Sequence, residues 1–298
     1  MEWEHIKTED RNVNTQNIDS LSTLEMVRLI NSEDKKVAYA VEAELEHIAE
    51  AVDVIAAQLK VGGRLVYSGC GTSGRLGVLD AAECPPTYST DPDQVIGLIA
   101  GGNSAMFRAV EGAEDNAQLG AQDLKNIHFN SQDVLVGIAA SGRTPYVLGA
   151  MEYAAACGAH VIGIACCPGS EVEKAAQIAI IPTPGPEVIT GSTRMKSATA
   201  QKMVLNMLST GAMIKLGKVY GNLMVDVKPS NQKLIHRCQR IVSEATGVTE
   251  AEAAKVLELC DYRPKTAIVM LLCKVSAEEA LALLDAHDGR ISSAIRED

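Results

Sequence analysis

The sequence predicts a doubly wound α/β fold around a five-stranded parallel sheet, in three layers. Three observations point there. Short apolar runs at 64–68, 94–100, 133–139, 160–165 and 178–181 alternate with helical patterns, the order expected of βαβ units. The chain is 47% hydrophobic but only 3% aromatic, so its core is built from Ala, Val, Ile and Leu, as buried parallel strands and their helices usually are. At 298 residues it can bury a full core and still carry appendages.

Residues 1–20 are polar and rich in Asn, and are expected to wrap the surface. Ser22 and Glu25 form a capping box that opens a short helix over 22–30. Val37, Val41, Leu45, Ile48, Val52, Ile55 and Leu59 recur at helical spacing, predicting one amphipathic helix that ends at Gly62 and Gly63. The first strand runs into Gly69, Gly71 and Gly74, then into a helix that Pro85 and Pro86 should stop after Cys84. Past the second strand, Ser104 can cap a helix reaching about Leu124. The third strand leads to Ser141, Gly142 and Arg143. Thr144 as N-cap and Pro145 at the first helical position start the next helix. A loop over 190–196 precedes a long helix over 197–216. No strand is expected beyond it. Thr249 with Glu252 and Ser276 with Glu279 make capping boxes, and Pro264 opens a helix between them, giving a small three-helix unit from about residue 240. Three parts follow: an N-terminal helical arm (1–54), a sheet domain (55–220) and a C-terminal helical region (221–298).

Composition excludes several functions. Asp and Glu number 38 against 27 Lys and Arg, a formal charge of -11, and no basic run occurs, so no nucleic-acid partner is expected. The N-terminus lacks a signal pattern, and no apolar run approaches the ~18 residues that span a bilayer. The expected setting is therefore cytoplasmic, with no membrane contact. The eight cysteines form no CxxC pair and read as small buried hydrophobes in a reducing compartment. The six histidines form neither HxH nor HExxH, so no metal site is expected.

In an open α/β sheet, ligands bind beyond the carboxyl ends of the strands. Gly69, Gly71 and Gly74 fit GxGxxG, but a dinucleotide also needs an acid at the end of the second strand. The chain has Ile99, Ala100, Gly101 and Gly102 there. A monophosphate fits better. Thr72 and Ser73 sit at one helix start, Ser141 and Thr144 at another, and helix N-termini attract anions through dipole and N–H donors together. The alternative reading is that these hydroxyls only cap helices.

Two glutamates are candidates for proton transfer. Glu83 lies at helical spacing from Leu76 and Leu79 and should face inward in the last turn of its helix, where burial and dipole would both disfavour the anion. Glu114 falls on the stripe Phe107, Val110, Ala117 and Ala121, with Glu111 one turn earlier. A salt bridge or a solvated helix face would explain either one equally well.

Several strings carry a resemblance: SGCGTSGRLG at 68–77, LDAAECPPT at 79–87, AVEGAED at 109–115, AASGRTPY at 139–146, TGSTRMK at 190–196 and YGNLMVD at 220–226. In that order the chain resembles the bacterial N-acetylmuramic acid 6-phosphate etherases. These are similar to the glucokinase regulatory protein and share the sugar isomerase (SIS) fold, a five-stranded parallel sheet that binds phosphosugars. The resemblance implies an enzyme without a cofactor that cleaves the D-lactyl ether at sugar C3 in peptidoglycan recycling. It implies Glu83 and Glu114 as the catalytic pair. Thr72, Ser73, Ser141 and Thr144 are implied as substrate contacts, and less directly Glu111 and Lys196. Arg75, Arg143 and Arg194 would stand nearby. An isomerase or a non-catalytic phosphosugar regulator on the same fold are the alternatives. The long helix after Thr193 is apolar on more than one face, which predicts a homodimer, or burial within one chain.

Overall fold

The computed structural model describes residues 7–296, apart from 228 and 230. The expectations for residues 1–6 lie outside the described residues. The five predicted strands form: β1 (Leu65–Gly69), β2 (Val95–Ile99), β3 (Val134–Ile138), β4 (His160–Ile164) and β5 (Ile178–Ile180). They pair in parallel in the order β2-β1-β3-β4-β5. The chain leaves β1 for one neighbour, β2, and then returns to the other side as β3. The sheet therefore has its topological switch point between β1 and β3.

Register sets the two faces. Val66, Leu135 and Val161 align across β1, β3 and β4, and pack with Leu124, Val147, Ala150 and Met151 of α5 (Ala117–Asn126) and α6 (Pro145–Ala156). The opposite face presents Tyr67 to α4 (Gly71–Tyr88). A Cβ on Gly77 would stand only 2.8 Å from that of Tyr67, so glycine lets helix and strand meet. On this side Tyr67 Oη donates to Asp80 at 2.8 Å, and Ser209 Oγ donates to the same carboxylate at 3.1 Å. Helices cover both faces of the sheet, giving the three expected layers.

The N-terminal part has α1 (Thr23–Asp34), whose capping box between Ser22 and Glu25 is complete. The single helix expected over 37–59 is two, α2 (Lys36–Glu42) and α3 (Leu45–Lys60). Val37, Val41, Ile48 and Val52 are all buried. The apolar period thus follows the buried face through a break in the backbone. The helix expected from Ser104 to Leu124 is also interrupted. A 3₁₀ turn, Asn103–Met106, gives way to loop, and α5 begins only after Asn116, whose side chain accepts from Leu119 N. Gly112 at φ +73° takes a left-handed conformation that no helix can include. Conversely, α4 continues through Pro85 and Pro86 to Tyr88. Proline φ is helical, and the helix ends where Ser89 turns left-handed at φ +51°.

The chain divides into two compact units, Met1–Ala82 with Asp93–Ser209, and Glu83–Pro92 with Thr210–Asp298. The second therefore takes the end of α4, which the expected 55–220 domain would have kept, and starts within α8 (Lys196–Lys215). Val204, Leu205, Leu208 and Met213 of α8 are buried within the chain itself, and Ile214 remains 52% exposed. The second unit holds a strand pair the sequence reading lacked, β6 (Val219–Tyr220) and β7 (Leu223–Met224), joined through Gly221 at φ +57°. Its helices are α9 (Gln232–Thr246), α10 (Glu250–Glu258), α11 (Pro264–Cys273), α12 (Ala277–Ala286) and α13 (Ile291–Ala294), where three were expected. Both predicted capping boxes form, and Pro264 opens α11. Val225, Cys238, Val242, Leu257, Ile268 and Leu284 make its core.

Candidate active site

A cavity of about 410 Å³ opens at the switch point, where α/β sheets bind ligands. Its floor comes from the loop after β1, through Cys70, Gly71, Thr72 and Ser73, and from the end of β3, through Ile138, Ala139, Ala140 and Ser141. Thr144 lines it as well. Three segments complete the wall: Glu114 from the loop before α5, the run Gly191, Ser192, Thr193 and Arg194, and Glu9 from the N-terminal 3₁₀ turn Lys7–Glu9.

Local sequence explains each position. A Cβ on Gly74 would meet Gly69 O at 2.5 Å, and one on Gly69 would meet Gly74 N at 2.7 Å. The glycines press the first turn of α4 against the end of β1 and bring Thr72 and Ser73 into the cavity. Ser73 is buried and donates to Gln201 Oε1 at 2.8 Å. At the second loop, Thr144 occupies the N-cap and Pro145 the first helical position, as predicted, yet the threonine hydroxyl makes no cap hydrogen bond. The cap is not what holds that side chain, which lines the cavity instead.

Glu114 reaches the site by backbone packing rather than by a helical stripe. Helices α5 and α6 touch through two glycines: a Cβ on Gly120 would stand 2.0 Å from Tyr146 O, and one on Gly149 2.0 Å from Ala117 O. The carbonyl of Glu114 then accepts from Tyr146 N at 3.0 Å, in the first turn of α6. The stripe itself is absent, since Phe107 is 92% exposed and Val110 42%. Burial pushes the neighbouring Cys70 thiol up to about 12, and the carboxylates of Glu114 and Asp115 add to it. The cavity thus holds a thiol that stays protonated.

The other predicted residues lie elsewhere. Glu83 is exposed and does not line this cavity. The buried face of α4 carries Ser73, Asp80, Ala81 and Cys84, whereas Leu79 is 43% exposed, so the inward orientation expected of Glu83 is not found. Nor is it in the last turn, because the helix runs on to Tyr88. Glu111 is exposed in the loop and outside the lining. Lys196 is fully buried; its Nζ donates to Glu33 Oε2 at 2.9 Å and to Pro184 O at 3.0 Å. The N–H groups of Lys196 and Ser197 bond the buried Glu187 carboxylate at 2.8 and 2.9 Å, so an internal anion already caps the start of α8. Arg75 donates to the carbonyls of Ala105 and Met106, and Arg143 is not among the lining residues. Arg194 does line the cavity.

Four of the six expected contacts, Thr72, Ser73, Ser141 and Thr144, therefore converge with Glu114. Sequence reasoning missed Glu9, Cys70, Ser192 and Thr193. The last two were visible in the 190–196 string, whereas Glu9 carried no local signal. Among the described residues, no group of three or more His, Cys, Asp or Glu could hold a metal ion. No helix among them is long and apolar enough to cross a membrane. None of the eight cysteines is in a disulfide, and five are buried. A cavity with hydroxyls on two helix starts, one arginine and two glutamates can hold a small polyhydroxylated anion and move a proton on it.

The family model of the glucokinase regulatory protein N-terminal SIS domain matches residues 47–155, and that of the SIS domain matches residues 117–211. In fold, the chain is similar to a Bacteroides fragilis protein described as a candidate phosphosugar isomerase involved in capsule formation, with TM-score 0.50 and 21% identity over 66% of this chain and 94% of that one. N-acetylmuramic acid 6-phosphate etherases are far nearer in sequence. That of Photorhabdus laumondii is 61% identical over 97% of this chain and 96% of its own length, and that of Clostridium botulinum strain Loch Maree 59% over 97% and 96%. At that identity and coverage, the chain belongs to the N-acetylmuramic acid 6-phosphate etherase family.

Proposed function

We propose that this chain is an enzyme that cleaves the D-lactyl ether of N-acetylmuramic acid 6-phosphate, giving N-acetylglucosamine 6-phosphate and D-lactate. The observation that carries the reading is Glu114 in a hydroxyl-lined cavity at the switch point of a phosphosugar-type sheet, in a chain 61% identical to a named etherase. The phosphate would lie against Thr72, Ser141, Thr144 and Arg194. In the ring-opened sugar the C2 proton is α to the C1 aldehyde and can be removed by a carboxylate. The C3–O bond then breaks, and the lactyl oxygen leaves with a proton. Water adds to C3 of the unsaturated aldehyde, with a proton returned to C2. The net change is one water consumed per ether cleaved, and the two proton transfers need two carboxyl groups in opposite states.

Glu114 is proposed as the group that takes the C2 proton, because it lines the cavity and its charge acts on the Cys70 thiol there. Glu83 is proposed as the proton donor on its position in the 79–87 motif alone. Each general acid–base contribution is worth about 10²–10⁴-fold. Glu114→Gln and Glu83→Ala should therefore lower kcat by about that factor in folded protein. The decisive assay supplies N-acetylmuramic acid 6-phosphate and measures D-lactate. An aldose–ketose isomerase would release none, and a regulator would bind the sugar phosphate unchanged. Full activity in Glu83→Ala would remove that residue from the chemistry. The active form is proposed as a cytoplasmic homodimer serving cell-wall turnover. Sedimentation tests the dimer.

A further inference from the structure

The N-terminal strap before α1 is tied down at buried points on both sides of Glu9. Thr8, 2% exposed, lies with its Oγ1 3.5 Å from Cys167 Sγ. Asn12, 6% exposed, donates through Nδ2 to Glu33 Oε2 at 2.9 Å and to Pro186 O at 3.2 Å. Thr15 Oγ1 donates to Val188 O at 2.8 Å. Between these anchors Glu9 lines the cavity beside the 191–194 loop, where a Cβ added to Gly191 would stand 3.4 Å from its Oε2. Polar side chains fixed at buried anchors hold the strap, and with it the backbone of Glu9, beside the cavity.

We propose that Glu9 is a specificity-determining residue that orients the phosphosugar. This rests on reading the cavity as the phosphosugar site. A carboxylate has only acceptor sites, so it selects hydrogen-bond donors. The proposed substrate carries two anionic ends, a phosphate and a lactyl carboxylate, and between them hydroxyls and an acetamido N–H. Glu9 repels both ends and accepts a hydrogen bond from a donor on the sugar. That leaves the phosphate to the hydroxyls of Thr72, Ser141 and Thr144. Glu9 thus reads the middle of the molecule, a task for which neither hydroxyls nor Arg194 are selective.

The test compares Glu9→Ala and Glu9→Gln with the unaltered full chain. Lactate release gives KM and kcat, and inhibition constants are taken for N-acetylglucosamine 6-phosphate, glucose 6-phosphate and inorganic phosphate. A hydrogen bond to a charged group is lost in Glu9→Ala, so KM and the amino-sugar inhibition constant should rise about 10-fold or more, with kcat changed far less. Glu9→Gln keeps an acceptor and should recover part of that loss. Inorganic phosphate should bind unchanged or tighter. If the donor is the acetamido N–H, only the amino sugar weakens; if it is a hydroxyl, glucose 6-phosphate weakens with it. Either pattern supports the proposal. An unchanged KM in both variants overturns it, as does a loss of inorganic phosphate binding in step with the sugars, which would make Glu9 a mere part of the wall. An unaltered chain that releases no lactate and binds no sugar phosphate fails the functional reading itself, before any variant is compared.

Discussion

Replacing Lys196 with methionine separates an anchor from a ligand. The change removes a 1%-exposed ammonium that donates to Glu33 Oε2 at 2.9 Å and Pro184 O at 3.0 Å. Glu33, itself 2% exposed, would keep Lys36 at 2.5 Å, Asn12 at 2.9 Å and Asn14 at 3.1 Å. Removing one partner of a buried pair costs about 3–5 kcal/mol, and the lower end applies because Lys36 remains on the other oxygen. The titration of Glu33 shows that Lys196 acts in a network. Burial by itself would raise this carboxyl, but hydrogen bonds from Lys36, Lys196, Asn12 and Asn14 outweigh it and hold the group at about 2 rather than 4.5. A folded value below the unfolded one contributes stability above pH 4.5, which is lost as pH falls through 2. At about 1.4 kcal/mol per unit that net stabilisation is about 3 kcal/mol, shared among all four partners, so Lys196 is one contributor to it. Urea unfolding followed by circular dichroism at pH 7 should show Lys196→Met destabilised by about 3 kcal/mol. Glu33→Met/Lys196→Met should fall short of the sum of the singles by about 2 kcal/mol, because no lone charge is left buried. KM for the phosphosugar should stay within about two-fold in folded protein, since no cavity contact is lost. An unaltered urea midpoint with a raised KM would refute the reasoning and return Lys196 to the substrate.

Two further outcomes follow from the same geometry. Gly74→Ala sets a methyl 2.5 Å from Gly69 O and 2.7 Å from Ile99 Cγ1, so the backbone must part; thermal unfolding should register about 1–3 kcal/mol, and sugar phosphate binding should weaken as Thr72 and Ser73 move. Cys70, its thiol pushed up to about 12, should resist iodoacetamide at pH 8, where about 10⁻⁴ of it is thiolate, and peptide mass spectrometry would expose rapid labelling if that is wrong.

The layers of the sheet were legible because they depend on local signals. All five strands fall within the predicted runs to within two residues, and Thr144 with Pro145, Thr249 with Glu252 and Ser276 with Glu279 start helices where expected. Two of the misreadings share one physical cause. Hydrophobic period reports which side of a segment is covered, not whether its backbone is continuous. It joined α2 to α3 and carried a stripe through Gly112, whose φ of +73° breaks any helix. Two prolines, treated as a stop, merely lack N–H donors near the end of a helix that finishes at Tyr88. The β6–β7 pair is two residues per strand, too short to produce a period at all.

For the lining of the cavity, the positions of hydroxyls were readable in the sequence and those of charges were not. Thr72, Ser73, Ser141 and Thr144 are placed by glycine loops and helix starts within a few residues of themselves, so their neighbourhood is written beside them. A charge is placed by its partner, which can be anywhere. Lys196 and Arg194 stand two apart in one string, yet Lys196 turns inward to Glu33, 163 residues away, while Arg194 lines the cavity. Arg64 likewise ends on Asp133 at 2.6 Å and Arg75 on two carbonyls. Lys196 and Arg75 are thus taken up by partners inside the protein, and Arg64 by Asp133 at the amino ends of the strands, away from the cavity, which leaves the anion grip proposed above to helix starts, hydroxyls and Arg194. That division also explains how a chain of charge -11 suits an anionic ligand. A site built on local N–H donors and hydroxyls acts within a few ångströms, below the screening length of about 8 Å at physiological salt, and is indifferent to the sign of the distant surface.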